Sequence, residues 1–227
     1  MQKILLIDSD ETFVQGLKYS LEQDEYLIDT AYSAEEAQKL LKPNEYNLII
    51  MEIDLPDKSG LNLCQDIRRD SNVAIIISTN NKEEIKKILA LEYGADDFLV
   101  KPYNILELKA RMKSLFRRVQ GANDDSKNNI LEFNHFTINT IGRKLFKDGV
   151  EISLTGKEFD LLYILASNKE VVFSRKDLLE KVWGYQFYGD ERTVDVHIRR
   201  LRNKIEESSK RPKFLKTKWG VGYYFVD

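Results

Sequence analysis

Four side chains suited to handling phosphate stand at the ends of short apolar runs. Asp8 follows 4–7, Glu52 follows 47–51, Thr79 follows 74–78, and Lys101, with Pro102, follows 98–100. A lysine neutralises phosphoryl charge and a hydroxyl bonds a phosphoryl oxygen, so an acid, a hydroxyl and a lysine at one address suit a phosphate site. Singly, each is an ordinary surface or structural group, and only a shared location makes a site. No Gly-rich loop accompanies them, so nucleotide binding has no support.

A second cluster is basic. Residues 192–218 hold ten Lys or Arg (Arg192, Arg199, Arg200, Arg202, Lys204, Lys210, Arg211, Lys213, Lys216, Lys218) against Asp195, Glu206 and Glu207. Such a footprint on an otherwise acidic chain points to a polyanion, while the plainer reading is a solvated helix face. Val194, Ile198, Leu201 and Ile205 recur with helical spacing and predict a core-facing stripe. On the opposite side lie Arg192, Val196, Arg199, Arg200 and Asn203. A major groove would use that face, because arginine pairs with guanine and an apolar side chain meets a thymine methyl. Thr193, His197, Arg202 and Lys204 flank it and are expected at phosphates, as are Lys216 and Lys218 further on. His197 alone is weak evidence, since a lone histidine on a helix is as readily structural.

These clusters need elements to position them. Strands are expected at 3–7, 26–31, 47–51, 74–78 and 98–100, alternating with helices near 11–23, 33–42, 59–69, 82–93 and 104–118. Strand–helix alternation predicts a doubly wound α/β domain with a five-stranded parallel sheet, whose ligands bind at the carboxyl ends of the strands. Residues 120–129 carry no large apolar side chain and read as a linker between a domain at 1–119 and one at 130–227. The second domain should open with strands at 130–138, 143–147 and 150–154. Three helices follow. Thr155 with Glu158, and then Ser174, supply cap signals for the first two, and the third spans about 191–207. A hairpin at 213–218 and 223–226, turning at Gly220–Gly222, closes an α+β winged helix-turn-helix.

The 227 residues, 42% hydrophobic and 32% charged, suit two globular domains and exclude a disordered chain. Residues 1–119 carry 16 basic and 21 acidic side chains, and the remainder carries 19 and 16, so the net charge of −2 hides −5 against +3. No apolar run approaches the roughly 18 residues of a membrane span, and the first apolar run stops at Asp8, unlike a signal peptide. A cytoplasmic protein is expected, with no membrane partner. One cysteine, Cys64, and two histidines exclude a disulfide framework and a Cys-rich or His-based metal site. No nucleophile–base motif is present, so an enzyme is not expected; Cys64 reads as a small buried apolar residue.

The segments ILLIDSD (4–10), IIMEIDLPDKSG (49–60), IIIST (75–79), GADDFLVKPY (94–103), ELKARMKSLFRR (107–118), RTVDVHIRRLRNKI (192–205) and WGVGYYF (219–225) are similar to those of OmpR/PhoB-type two-component response regulators. Such proteins join a receiver domain to a winged-helix DNA-binding domain, and the match runs nearly end to end. The resemblance implies double-stranded DNA and a second copy of the chain as partners, with a sensor kinase left open. It makes Thr79 and Phe98 the switch residues. It also assigns Lys87, Asp97, Glu107, Arg111 and Arg118 to a receiver dimer face, with cross-subunit pairs at exposed positions.

Three departures bear on that match. The family's phospho-accepting aspartate falls on Glu52. Its acidic pair after the first strand falls on Asp8 and Ser9, so one carboxylate is missing. Those two positions are the family's main magnesium ligands, and a carboxylate displaced by about one bond, roughly 1.5 Å, loses alignment. Weak or absent magnesium binding and a receiver that does not depend on phosphorylation are therefore expected. A phospho-activated regulator using Asp54, or an interaction module without DNA output, are the alternatives. The wing also departs: Trp219 stands where arginine often reaches a minor groove.

Overall fold

The computed structural model describes residues 1–42, 45–116, 130–184 and 190–227. The chain divides into two compact units, Met1–Met112 and Lys113–Asp227.

In the first unit, five strands alternate with helices: β1 (Lys3–Ile7), α1 (Glu11–Glu22), β2 (Leu27–Ala31), α2 (Ala34–Leu41), β3 (Leu48–Met51), α3 (Gly60–Asp70), β4 (Ala74–Thr79), α4 (Glu84–Glu92), β5 (Asp97–Val100) and α5 (Ile105–Phe116). The strands are parallel in the order β2-β1-β3-β4-β5. β1 and β3 are buried almost throughout, as expected of strands covered on both faces. The register sets Ile7 beside Met51 and Thr79 beside Val100, so the residues after each strand share one edge. Asp10 fixes the start of α1 by accepting the Phe13 N–H at 2.9 Å. Gly60 lets the loop after β3 fold tightly, because a Cβ there would lie 2.1 Å from the Glu52 carbonyl oxygen.

The second unit opens with an antiparallel sheet of β6 (Ile130–Glu132), β7 (Phe136–Asn139), β8 (Lys144–Lys147) and β9 (Val150–Ile152). The single strand expected over 130–138 is thus two strands, which turn at 133–136 where Phe133 N–H bonds Phe136 O. Three helices follow, α6 (Gly156–Ser167), α7 (Arg175–Trp183) and α8 (Arg192–Ile205), with β10 (Phe173–Ser174) before α7. β11 (Leu215–Lys218) and β12 (Gly222–Phe225) form the closing hairpin, and β10 adds a third strand to it. Val194, Ile198, Leu201 and Ile205 of α8 join Phe159, Leu162, Leu178 and Trp183 in one core, as the stripe predicted. The expected linker, 120–129, lies outside the described residues.

Candidate functional site

The shared edge of the parallel sheet holds a closed charge cluster. Asp8 and Glu52 are each 5% exposed and Lys101 is 7% exposed. Lys101 Nζ donates to Glu52 Oε2 at 2.9 Å and to Asp8 Oδ2, bridging two carboxylates that lie 49 and 93 residues before it in sequence, respectively. The Glu52 side chain folds back so that Oε1 accepts the Ile53 N–H at 2.7 Å, and Oε2 takes the Asn80 N–H at 3.3 Å. Asp8 Oδ1 accepts the Asp10 N–H at 3.0 Å. The Lys101 ammonium also lies 4.2 Å from the centre of the Phe13 ring.

Of the residues expected at this address, Asp8, Glu52 and Lys101 are brought together. Thr79 is fully buried, and its carbonyl accepts the Lys101 N–H at 2.8 Å, but its hydroxyl accepts from Asn81 N–H at 3.2 Å. Ser9 is exposed and adds no carboxylate. Phe98 is buried on β5 beside Ile77. Phe13, Asn80 and Tyr103 carried no sequence signal. The Tyr103 hydroxyl lies 2.8 Å from Ser78 Oγ. Burial, with the negative charge of Asp8 and Glu52 working against the Ser78 bond, pushes its phenol up to about 12, so it adds no charge near neutral pH. Asp54 lies outside the cluster, with an exposed side chain 3.7 Å from Lys86.

The expected dimer face is corrected in one respect. Asp97 and Arg111 are buried, not exposed, and pair within one chain: Arg111 Nη1 meets both Asp97 oxygens at 3.0 Å. Glu107 joins them because it lies one helical turn before Arg111, with Nε donating at 3.2 Å. Lys87 is half-buried. Arg118 lies outside the described residues.

Helix α8 departs further from the expected open basic face. Val196 (6% exposed), Thr193 and His197, expected at bases and phosphates, are buried in the chain. The reason is packing on two sides. His197 Nδ1 pairs with the Thr193 carbonyl at 2.9 Å, and its ring meets Trp183 of α7 at 5.0 Å. Arg200 and Lys204 turn inward to buried Glu158 of α6, at 3.0 and 2.7 Å. Burial alone would raise the Glu158 carboxyl, but Arg200 and Lys204 outweigh it and hold the group below its ordinary 4.5. Arg202 is also engaged within the domain: Nε and Nη2 donate to the Leu215 carbonyl at 2.9 and 2.7 Å, and Nη2 to Thr217 Oγ1 at 2.8 Å. Arg200, Arg202 and Lys204, expected at bases and phosphates, are thus half-buried and paired within the domain.

What remains outward on α8 is Arg192, Arg199 and Asn203, all exposed. At 3.6 residues per turn they fall within an arc of roughly 40°. Lys218 is exposed and Lys216 half-buried on the adjoining hairpin. The hairpin is joined to α8 twice, by Arg202 and by Tyr223, whose hydroxyl donates to Asp195 Oδ1 at 2.6 Å.

A charge cluster at the carboxyl edge of a five-stranded parallel sheet is thus paired with a three-helix domain closed by a basic hairpin. Residues 4–113 match the response regulator receiver domain family, and 149–225 match the transcriptional regulatory protein C-terminal family. The chain is an OmpR/PhoB-type response regulator. This response regulator is 40% identical to the transcriptional regulatory protein ResD of Bacillus subtilis, over 98% of this chain and 95% of that one. It is 36% identical to SrrA of Staphylococcus aureus over the same shares. Among solved structures it is similar to DrrB, a Thermotoga maritima OmpR/PhoB homologue, at 31% identity and a TM-score of 0.53, with both chains covered in full. A mutant form of RitR matches over both full chains at 25% identity and a TM-score of 0.77. Both families and these relatives are regulatory, not enzymatic. No helix among the described residues is long and apolar enough to cross a membrane.

Proposed function

We propose that this response regulator binds specific DNA sequences as a dimer and does so without phosphorylation, its receiver held in one state by an internal ion cluster. The observation that carries this reading is the Lys101 ammonium, bonded at once to Glu52 and Asp8 inside the buried edge of the sheet. Glu52 supplies a permanent anion where a phosphoryl group would bring a transient one. Breaking such a buried cluster is costly, because it strands uncompensated charge, so the cluster resists remodelling.

Magnesium, which the receiver family implies, finds a poor donor set. It is usually held by one or two carboxylates together with phosphate and water. Here position 9 is an exposed serine, and the Asp8 and Glu52 oxygens already accept from Lys101, Asp10, Ile53 and Asn80. The residues present do not fit the ion, and no step of the proposed mechanism runs through it. Phosphorylation at Asp54 is disfavoured by its exposed position beside Lys86, away from the two carboxylates that Lys101 holds. A sensor kinase is then not required for output.

For DNA, Arg192, Arg199 and Asn203 form the outward face of α8 that reads bases, while Lys216 and Lys218 meet phosphates. Dimerisation through α4, β5 and α5 would bring two such faces to neighbouring half-sites about one helical turn apart. The test is the chain kept free of phosphodonor, titrated into duplexes it has selected from a random pool, at several salt concentrations. Selective binding that weakens steeply with salt is expected. Glu52→Ala should lower both dimer fraction and affinity. Unchanged sedimentation and binding in Glu52→Ala would leave Glu52 vestigial, and absence of DNA binding would leave an interaction module.

A further inference from the structure

The parallel sheet has a second edge, where its strands begin, and a groove opens there between α2 and α3. Its volume is about 680 Å³, within the roughly 300–1,000 Å³ of sites that hold small ligands. The floor is apolar. Tyr46 and Val73, the residues just ahead of β3 and β4, meet Leu41 of α2 with Leu63 and Ile67 of α3. Tyr46, Leu63 and Ile67 are buried, whereas Leu41 and Val73 are half-buried and face the opening. None of these residues belongs to the Lys101 cluster at the opposite edge.

The rim is negative. Glu45, Asp66 and Asp70 line the groove against Lys42. Asp66 is engaged by Lys58 and, at 3.3 Å, by Arg69, so exposed Glu45 and Asp70 carry the charge that a ligand meets. The backbone adds to it. Gln38 and Leu41 lie in the last turn of α2, and Ile67 and Asp70 in the last turn of α3. Two helix C-termini therefore adjoin the groove, each with a partial negative charge of about half an elementary unit. An apolar floor under a negative rim matches an apolar body that carries one cationic group. The groove is also tied to the loop after Glu52. Asp57 accepts the Ala34 and Glu35 N–H groups at 2.9 and 2.8 Å, at the start of α2, and Lys58 pairs with Asp66 on α3. Both walls are thus held by the segment that begins at Glu52. A ligand that changes the spacing of α2 and α3 acts on that segment.

We infer that the groove between α2 and α3 binds a small amphipathic organic cation, an amine or amidine on an apolar body, and that its occupancy reaches the loop after Glu52. The cationic group meets Glu45 and Asp70, and the apolar body covers Leu41, Leu63, Ile67 and Val73. This deepens the reading above, because a receiver that does not wait for phosphate takes its input from such a ligand. The site itself does not depend on that reading.

The test titrates three probes into the full chain, n-octylamine, octanoate and ethylamine, and follows the methyl and amide NMR signals. n-Octylamine should shift the methyls of Leu41, Leu63, Ile67 and Val73 saturably, with a dissociation constant on the order of 1 mM, ordinary for so small a ligand. Octanoate should bind about tenfold more weakly, for want of the cation. Ethylamine should not saturate, for want of the apolar body. Glu45→Lys combined with Asp70→Lys, both at exposed positions, should reverse the order of n-octylamine and octanoate. The amide signals of Ile53 and Gly60 should move along the same n-octylamine titration. Groove methyls that stay still, or octanoate binding as tightly as n-octylamine, would overturn the site. Groove methyls that move on dilution without any probe would assign the groove to a second copy of the chain and also overturn it. If the methyls move and the Ile53 and Gly60 amides do not, the link to the Glu52 loop falls. A phosphoryl adduct formed with a phosphodonor would remove the phosphorylation-independent reading and leave the site standing.

Discussion

Lys101 in the first unit and Arg199 in the second are both cations that sequence patterning places at a site, and they face opposite ways. Around Lys101 the charge is closed, with two buried carboxylates taking the ammonium and backbone N–H groups taking the remaining carboxylate oxygens. Helix α8 divides its cations. Arg200, Arg202 and Lys204 turn to partners inside the domain, whereas Arg192 and Arg199 stay at the surface. The first arrangement suits a fixed state, and the exposed side of α8 suits contact with a partner at the surface. A basic residue is therefore informative about function only once its partner is known.

The sharpest way to break the comparison is to remove one cation from each region. Lys101→Met leaves Asp8 and Glu52 buried without a counter-charge and should cost about 3–5 kcal/mol in urea unfolding. Adding Glu52→Gln should return part of that loss, because the two residues share one interaction. Arg202→Ala should cost about 1–3 kcal/mol, since the Leu215 carbonyl and Thr217 hydroxyl lose their donor. It should also weaken DNA binding through a loosened hairpin, which makes Arg202 a positioning residue.

Acid should separate the inward cations from the outward ones. The Glu158 carboxyl is held below 4.5 by Arg200 and Lys204 in spite of its burial. A depressed folded-state value gives stability that is present above the unfolded carboxylate range and is lost as pH falls through the folded value. Unfolding followed from pH 6 downward should show the second unit weakening below about pH 4.5, and Glu158→Gln should flatten that dependence. The smallest effect on stability is expected at the surface. Arg199→Ala should stay within about 0.5 kcal/mol of the parent. Its cost should appear in specificity, as about 1–3 kcal/mol of lost discrimination at one base pair.

Much of this is legible in the order of the residues. The apolar runs locate all five parallel strands, which places Asp8, Glu52 and Lys101 at one edge. The spacing of Val194, Ile198, Leu201 and Ile205 marks the buried side of α8. Periodicity gives the centre of a buried stripe, however, and not its width. Helix α8 packs on two sides, so Thr193, Val196 and His197 are buried although they lie off that stripe. The roles of Arg200, Arg202 and Lys204 depend on partners far along the chain. Lys204 and Glu158, for example, are 46 residues apart. The same limit applies to Asp97 and Arg111, whose charges mark an outer face and whose pairing is internal. Trp219 shows the converse, for its type suggests packing and the turn at Gly220 holds it in solvent.

The central claim, a receiver whose state does not wait for phosphate, is tested most directly on the intact chain. It would be incubated with a small-molecule phosphodonor, with and without magnesium, and its mass and dimer fraction measured together. The account predicts no phosphoryl adduct under either condition and a dimer fraction that does not change. A magnesium-dependent adduct that raises the dimer fraction would contradict it and would show that the edge of the sheet still works as a phosphorylation site.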